Sequence, residues 1–330
     1  MLILAGDIGG TKTLLQIANF DGSTKSILDE KRYVSADYDD LTDMVIEFLG
    51  DIKQTHGEVS LQAACFGIAG PVSGRQGWVT NLPWELDADK MESVLAIPKV
   101  RLINDFAAVG YGLEALGPND LVELQAGQPA AEAPCALIGA GTGLGQGILV
   151  WQDDHYEVMA SEGGHCDFAP VDDEQIELLA WLIDKFGHVS YERVCCGRGL
   201  VNIYDFLSTK HPGKVTDEMT TSMTEGDPAA AVSIAGLKGS DELATQAMHL
   251  FAKIYGQQAG NLALTCMAGG GVYIAGGIAP KVIDKLKDGT LITAFNEKGR
   301  MNKLTEVMPV HVVINPEVGL LGAALAASRL

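Results

Sequence analysis

Asp7-Ile8-Gly9-Gly10-Thr11-Lys12-Thr13, close to the amino terminus, is the stretch that decides the fold. Apolar residues on either side, 2–5 and 14–18, predict two strands joined by this glycine-rich turn. Paired glycines let an anion approach the backbone N–H groups, because no Cβ stands in the way. The threonine hydroxyls add donors, and Asp7 can hold a hydrated divalent cation against the same anion. An ordinary tight turn needs neither the acid nor the lysine, so the stretch predicts a phosphate cradle.

Composition limits the possible partners and the compartment. The chain has 330 residues, 47% of them hydrophobic, which is enough for two domains. Acids outnumber bases by 43 to 23, for a net charge of −20, so nucleic acid and anionic membranes are poor partners. Phosphate binding must then rely on backbone amides, helix N-termini and a metal ion. Six scattered cysteines without a Cys-x-x-Cys pair, and no expected secretory signal, favour free thiols and a cytoplasmic location.

Strands followed by strand–helix alternation predict an α/β domain with a mixed sheet. A third strand is expected over Ser26 to Val34, after a turn signal at Asp21-Gly22. An apolar stripe from Leu41 to Ile52 predicts a helix over the sheet. Further apolar residues at helical spacing predict a helix over Asp173 to Phe186 with one apolar face: Ile176, Leu179, Ala180 and Ile183.

A second strand–turn–strand pattern follows about one domain later, with strands flanking Gly139 to Gly145. Two similar hairpins that face each other could clamp a polyphosphate from both sides. Residues 116–134 look like a loop and are the candidate crossing between domains. A terminal helix from Val318 to Ser328 is expected to pack back on the first domain. The predicted domains are therefore 1–115 plus about 316–330, and about 116–315.

Polar residues after the strands are candidates for chemistry. Asp105 follows a predicted strand, where its carboxylate could take a proton from an attacking hydroxyl. The alternative is a helix cap, which the spacing alone favours. Glu162 and His165 flank a Gly-Gly turn and can converge on one small polar ligand, although a metal site or a plain surface turn are alternatives. Glu192 by itself is typical of an acid at a helix start.

The absence of several common motifs excludes some classes of fold and enzyme. The chain has no Gly-x-x-x-x-Gly-Lys-Ser/Thr, so a P-loop fold is not expected. The glycines at 139–147 do not match the dinucleotide fingerprint. Neither Gly-x-Ser-x-Gly nor His-Glu-x-x-His occurs, which removes the commonest hydrolase signatures.

Taken in order, these motifs resemble the bacterial glucokinase family of the actin, Hsp70 and sugar-kinase superfamily. The resemblance runs over essentially the whole chain and rests on these elements: 7–13, Asn81-Leu82-Pro83-Trp84, Asn104-Asp105, 139–145, 162–165, Glu192 and 273–277. It implies an α/β chain with a two-domain actin-like ATPase (ribonuclease H-like) fold and an interdomain cleft. It also implies ATP-dependent phosphorylation of D-glucose to glucose 6-phosphate, with Mg-ATP as the donor.

The same resemblance implies a role for each matching residue. Asp105 would be the base that deprotonates the sugar 6-hydroxyl, and it would bind the sugar together with Asn81, Asn104, Glu162, His165 and Glu192. ATP would contact three glycine-containing segments: Gly6, Asp7, Ile8, Gly9, Gly10, Thr11 and Lys12; Gly141, Thr142 and Gly143; and Gly276-Gly277. Asp7 would hold Mg²⁺, through water. No zinc is expected, because the cysteine-rich motif of the related repressor/kinase group is missing.

Three alternatives stay open at this level. The chain could phosphorylate another hexose or an N-acetylated amino sugar, it could be an ATPase-type nucleotide switch, or it could be a non-catalytic sugar-binding sensor. Expected partners are glucose, ATP and a second copy in a homodimer, although the residues themselves do not give the oligomeric state.

Overall fold

A computed structural model describes residues 1–21 and 24–330. These residues form two compact units. Unit 1 comprises Met1–Pro118, Tyr156–Ala160 and Asn315–Leu330, and unit 2 comprises Asn119–His155 and Ser161–Ile314. Gly22 of the predicted Asp21-Gly22 turn lies outside the described residues. Unit 1 therefore contains both ends of the chain.

The elements follow in chain order. The strands are β1 (Leu2–Ile8), β2 (Lys12–Asp21), β3 (Thr24–Val34), β4 (Ala63–Ile68), β5 (Val72–Ser73), β6 (Gln76–Trp78), β7 (Glu85–Asp87), β8 (Val100–Asn104), β9 (Leu121–Gln125), β10 (Cys135–Ala140), β11 (Leu144–Gln152), β12 (His155–Ser161), β13 (Gly271–Ala275) and β14 (Val310–Val313). The helices are α1 (Leu41–His56), α2 (Ala88–Leu95), α3 (Asp105–Gly112), α4 (Asp173–Phe186), α5 (Gly197–Lys210), α6 (Asp217–Glu225), α7 (Pro228–Lys238), α8 (Glu242–Cys266), α9 (Ile283–Leu286), α10 (Thr290–Asn296), α11 (Asn302–Thr305) and α12 (Val318–Ser328).

The main sheet of unit 1 has the strand order β3-β2-β1-β4-β8. β1 pairs with β2 in antiparallel fashion and with β4 in parallel, and β8 continues the sheet parallel to β4. The carboxyl ends of β1, β4 and β8 therefore lie at the same edge of the sheet, because parallel neighbours run in one direction. The strands predicted at the amino terminus are confirmed, and the pairing brings the ends of β1 and β8 to one edge.

Helices cover both faces of this sheet. α1 begins at the cap Asp40, whose side chain accepts a hydrogen bond from the Thr42 N–H, and its predicted apolar stripe is buried. α12 packs against β1, β4 and α3, as predicted. The close approach of α12 to α3 requires a glycine, because a Cβ on Gly322 would collide with the Ala108 carbonyl oxygen.

The sheet of unit 2 contains β11-β10-β13-β14-β9 in this order. The expectation of a loop over 116–134 was wrong in part, because β9 lies within it and pairs antiparallel with β14. The strand is short, with the apolar residues Leu121, Val122 and Leu124, and the flanking glycines and prolines favoured a loop. α8 is buried along most of its length and supplies much of the core of unit 2. None of the helices in residues 1–21 and 24–330 combines the length and the hydrophobicity of a membrane span.

The bounds predicted for α4 are confirmed, but its predicted apolar face was wrong for three of four residues: Leu179 packs against the core, whereas Ile176, Ala180 and Ile183 are exposed. Ile176 and Ile183 are 54% and 47% exposed, whereas Leu178 and Leu182 are fully buried. The Lys253 ammonium donates to the Asp172 carboxylate at 2.6 Å, which ties the start of α4 to α8 and sets its rotation. The helix thus has two apolar stripes, and the periodicity did not say which one is packed.

Candidate active site

The first glycine turn joins β1 to β2 in unit 1. The Gly9 N–H donates to the Lys12 carbonyl at 3.0 Å and closes the turn. Within residues 1–21 and 24–330, the N–H groups of Gly10 and Thr11 make no hydrogen bond. A Cβ on Gly10 would lie 2.9 Å from the Thr80 carbonyl oxygen, so only glycine fits there. The turn thus presents two unpaired donors of the kind that bind phosphate.

Asn81 lies beside this turn. Its backbone has φ +68°, and its Cβ is 3.6 Å from the position that a Cβ on Gly10 would take. The Thr80 N–H donates to the Ala69 carbonyl at 2.9 Å, which fixes the segment against the end of β4. The structure therefore brings Asn81 next to the predicted phosphate turn.

Ser35 supports the turn and was not singled out from the sequence. Its hydroxyl donates to the Gly9 carbonyl at 2.7 Å, and it lies 3.1 Å from the Thr13 hydroxyl. The Ser35 N–H also donates to the Thr11 carbonyl. Thr13 is fully buried, so its hydroxyl supports the turn from below instead of adding a donor to it, as the sequence had suggested. A serine after a strand is too common to have signalled this role.

Two residues of the predicted nucleotide site pack within the core of unit 1. Gly6 lies within β1, and a Cβ there would be 2.6 Å from Phe66 Cδ1. The Ile8 side chain is fully buried. A nucleotide contact by either residue would have to come from the backbone, and it stays a prediction.

Asp7 is the acid at the start of the first turn. Burial raises the pKa of its carboxyl above the ordinary value. A Cβ on Gly319 would lie 4.0 Å from the Asp7 Cγ, so the start of α12 also borders this group. Among the described residues no group of three or more His, Cys, Asp or Glu side chains is placed to hold a metal. One carboxylate still suits Mg²⁺, which often binds one or two carboxylates plus water and substrate phosphates.

Asn104 is the N-cap of α3. Its side-chain oxygen accepts hydrogen bonds from the N–H groups of Phe106 at 2.9 Å and Ala107 at 3.3 Å. Its amide nitrogen donates to the Gly70 carbonyl at 3.1 Å. The capping alternative considered for Asp105 was therefore wrong, because the preceding residue is the cap. A sugar contact by Asn104 stays a prediction, since both ends of its amide are already bonded within unit 1.

Asp105 is the first residue of α3 and is mostly buried. Burial raises its pKa to about 6, and the negative charge of Asp7 contributes in the same direction. A hydrogen bond from the Phe106 N–H, at 2.8 Å, acts against this rise and fixes one carboxylate oxygen. A carboxyl group with a pKa near 6 is ionised at neutral pH and still basic enough to accept a proton. This is the property required of a general base.

The second glycine turn lies in unit 2, where Ala140 pairs with Leu144 and Gly141-Thr142-Gly143 connects β10 to β11. The Gly141 N–H donates to the Gly143 carbonyl at 2.8 Å. The N–H groups of Thr142 and Gly143 make no hydrogen bond within the described part of the chain. This turn therefore resembles the first in its unpaired backbone donors.

Gly276 lies against the second turn. It has φ +86°, and a Cβ there would be 2.5 Å from the Ala140 carbonyl oxygen. Gly277, by contrast, faces open space. Gly197, which was given no role from the sequence, also contacts this turn, because its N–H donates to the Gly141 carbonyl at 3.0 Å. The structure thus brings the predicted adenosine segment and the start of α5 to one turn.

Glu192 also borders the second turn. Its carboxylate accepts a hydrogen bond from the Leu144 N–H at 2.9 Å and contacts Gly143. Its carbonyl oxygen accepts a hydrogen bond from the thiol of Cys196, and Cys196 is the N-cap of α5. Glu192 is therefore held at both its side chain and its backbone.

Glu162 directly precedes a short 3-10 turn formed by Gly163–His165, and His165 is the last residue of that turn. The His165 Nε2 is 3.9 Å from a Glu162 carboxylate oxygen, and both side chains are exposed. Gly164 contacts the Leu144 carbonyl, so this turn and Glu192 meet at the start of β11. The buried amide nitrogen of Gln146 has no partner among the described residues and adds a polar group there that the sequence had not indicated.

The solved structures that match this chain include glucokinases. A glucokinase from an Antarctic psychrotroph matches with a TM-score of 0.88 and 30% identity, covering 100% of this chain and 99% of that chain. A ROK-family glucokinase from Streptomyces griseus, in complex with glucose and AMPPNP, matches with a TM-score of 0.62 and 21% identity over 100% of both chains. The predicted fold class, an α/β chain with the two-domain actin-like fold of sugar kinases, is confirmed.

The sequence comparisons define the family. The model of the glucokinase family matches residues 4–330. A glucokinase from Trichormus variabilis is 47% identical over 344 residues, covering 100% of this chain and 99% of the relative. The chain belongs to the glucokinase family, and the resemblance inferred from its motifs is confirmed.

Proposed function

We propose that this protein transfers the γ-phosphoryl group of ATP to the 6-hydroxyl of D-glucose. The observation that carries the proposal is Asp105, a mostly buried carboxylate with a pKa of about 6 at the carboxyl end of β8. Membership of the glucokinase family over residues 4–330 supports the same reaction. The glucokinase of Streptomyces griseus, which shares the fold, was crystallised with both glucose and AMPPNP.

In this reaction Asp105 accepts the proton of the 6-hydroxyl as the oxygen attacks the γ-phosphorus. Glu162, His165 and Glu192 hold other hydroxyls of the sugar, and Asn81 and Asn104 contribute amide contacts. Sugar hydroxyls are both donors and acceptors, so this mixture of carboxylate, imidazole and amide groups suits them. Loss of one buried partner costs about 1–3 kcal/mol, which is enough to select among epimers.

The glycine turns hold the nucleotide in this proposal. The unpaired N–H groups of Gly10 and Thr11 support phosphate binding by the first turn, and those of Thr142 and Gly143 support it in the second. Lys12 adds a positive charge, and the Gly276-Gly277 segment lies against the adenosine. Bound Mg²⁺ supplies charge neutralisation at the phosphate oxygens. Asp7 would hold that ion through water, because its partly buried carboxylate is a ligand type that Mg²⁺ favours.

The assignment of the domains, the oligomeric state and the location in the cell are also proposals. Unit 1 acts as the small domain, predicted at 1–115 plus about 316–330, and unit 2 acts as the large domain. We infer a homodimer, supported by the exposed Ile176 and Ile183 on α4. We infer a cytoplasmic location, supported by the six cysteines, none of which forms a disulfide bond within the described residues.

A coupled assay of ADP production tests the function. The purified protein is supplied with Mg-ATP and, in separate reactions, glucose, mannose, fructose, N-acetylglucosamine or no sugar. We expect ADP production that depends on the presence of a sugar, and we expect the highest kcat/KM with glucose. A higher kcat/KM with another hexose or with N-acetylglucosamine would reassign the substrate. Sugar-independent hydrolysis would indicate a nucleotide switch, and glucose binding without turnover would indicate a sensor.

A further inference from the structure

Tyr191 anchors the segment that carries Glu192. It is 3% exposed, and its ring meets the Phe168 ring edge-on at a centroid distance of 5.6 Å. Its hydroxyl accepts a hydrogen bond from the Asn261 side-chain nitrogen at 3.0 Å. A buried hydroxyl that is bonded in this way holds its side chain in one orientation. The residue before Glu192 is therefore fastened to α8.

Tyr191 also joins the two segments of unit 2 that carry the proposed sugar ligands. Its N–H donates to the Cys166 carbonyl at 3.0 Å, directly after His165. The Phe168 N–H donates to the Val189 carbonyl at 2.9 Å, and Asp167 and Ser190 form an antiparallel bridge. A shift of Tyr191 would consequently move both segments together.

Lys298 fixes the other end of this set of contacts. Its ammonium group donates to the Asn261 side-chain oxygen and to the Gln257 carbonyl, each at 2.8 Å. Because an ammonium group only donates, it forces the Asn261 oxygen toward Lys298 and the nitrogen toward Tyr191. A Cβ on Gly260 would lie 2.5 Å from the Lys298 Cε, so a glycine in α8 makes room for the lysine stem.

We propose that Tyr191, Asn261 and Lys298 are positioning residues that hold the segments of Glu162, His165 and Glu192 in the geometry that binds sugar. The inference rests on the proposed function. None of the three is among the proposed substrate ligands, and each acts through the next: Lys298 orients the Asn261 amide, the amide holds the Tyr191 hydroxyl, and Tyr191 fixes both segments. Their loss is expected to weaken sugar binding more than nucleotide binding, because the second glycine turn is also held by the β10–β11 ladder.

The first test removes only a hydroxyl. Tyr191→Phe keeps the ring packed on Phe168 and should raise the KM for glucose about three- to tenfold, the effect of one buried hydrogen bond. The KM for ATP should change less than about twofold. Tyr204→Phe is the matched control, because Tyr204 is also a buried tyrosine of unit 2 but is not bonded to Asn261. An equal change in both KM values, or the same change in the control, would overturn the proposal.

The second test is a double-mutant cycle with Lys298→Met, which keeps the length of the stem and removes the charge. If the residues act in series, the double variant should bind glucose no more weakly than the worse single variant. Additive losses would contradict a shared role, and so would an unchanged glucose KM in Tyr191→Phe, which stays informative if Lys298→Met fails to fold. A wild-type protein without glucose-dependent ADP production would reject the proposed function itself. An active wild type with unaffected variants would reject only the positioning role.

Discussion

Replacing Asp105 by asparagine should lower activity and raise stability at the same time. The asparagine oxygen can still accept the Phe106 N–H, so the start of α3 is retained. The variant loses the group that accepts the proton, and kcat should fall about 10²- to 10⁴-fold. The affinity for glucose should change much less, because the amide keeps a polar contact. This contrast between kcat and affinity separates a base from a ligand.

The stability gain follows from the pKa. Between the ordinary value of 3.8 and about 6, the folded state binds the Asp105 proton and the unfolded state has lost it. The protein therefore loses stability as the pH rises through this window, and the full cost is present above about pH 6. At 1.36 kcal/mol per pH unit, the cost is up to about 3 kcal/mol. Asp105→Asn should recover up to this amount at pH 8 and almost none near pH 4.

Urea unfolding at several pH values measures this gain, and a coupled assay at saturating substrates measures kcat. Asp43→Asn is the control, since Asp43 also lies in the first turn of a helix of unit 1 but is exposed. A variant with near-normal kcat would remove Asp105 from the role of base. A variant less stable than the wild type at pH 8 would refute the argument that the ionised carboxylate is a cost.

Four further results are expected. For the wild type, kcat/KM for glucose should fall tenfold per pH unit below about pH 6 as Asp105 becomes protonated; a flat profile down to pH 5 would contradict this. Glu162→Ala should weaken glucose binding in a titration by about 1–3 kcal/mol, which is a rise in Kd of about 5- to 150-fold, and unchanged affinity would count against it as a ligand. Gly276→Ala should destabilise the protein by about 1–2 kcal/mol and raise the KM for ATP, because its φ is +86°, whereas Gly277→Ala should be nearly neutral in a thermal melt. Ser35→Ala should raise the KM for ATP with glucose affinity unchanged, since it removes a hydrogen bond to the Gly9 carbonyl; equal effects on both would assign Ser35 a general structural role.

The parts of the fold that depend on local patterns could be predicted from the sequence. The β1–β2 hairpin, α1 and α12 have clear apolar periodicity, and all three are confirmed. The packed face of α4 could not be predicted, because Ile176 and Leu178 both belong to apolar stripes and a contact from Lys253 decides between them. β9 was missed because its pairing partner, β14, comes almost 200 residues later in the chain.

In the candidate site, too, some features could be predicted from local motifs and others depend on contacts between distant parts of the chain. Motif order led to Asp105, but local spacing favoured a cap there, and only the structure assigned the cap to Asn104. The role of Ser35 under the first turn depends on β3 lying beside β2, which no short motif encodes. Asn261 and Lys298 lie 70 and 107 positions beyond Tyr191 in the chain, so their connection appears only when α8 is folded against the Tyr191 segment.

The return of α12 to the sheet of unit 1 has a consequence for synthesis on the ribosome. The face of β1 and β4 that α12 covers is formed by residues made early, including Ile3, Ala5 and Cys65. Its cover, which includes Leu320 and Ala324, is made more than 250 residues after Cys65. The part of that apolar face that α12 covers therefore stays exposed until residues 318–328 have been made, and nascent chains that stop before residue 318 should depend on chaperones to stay out of aggregates.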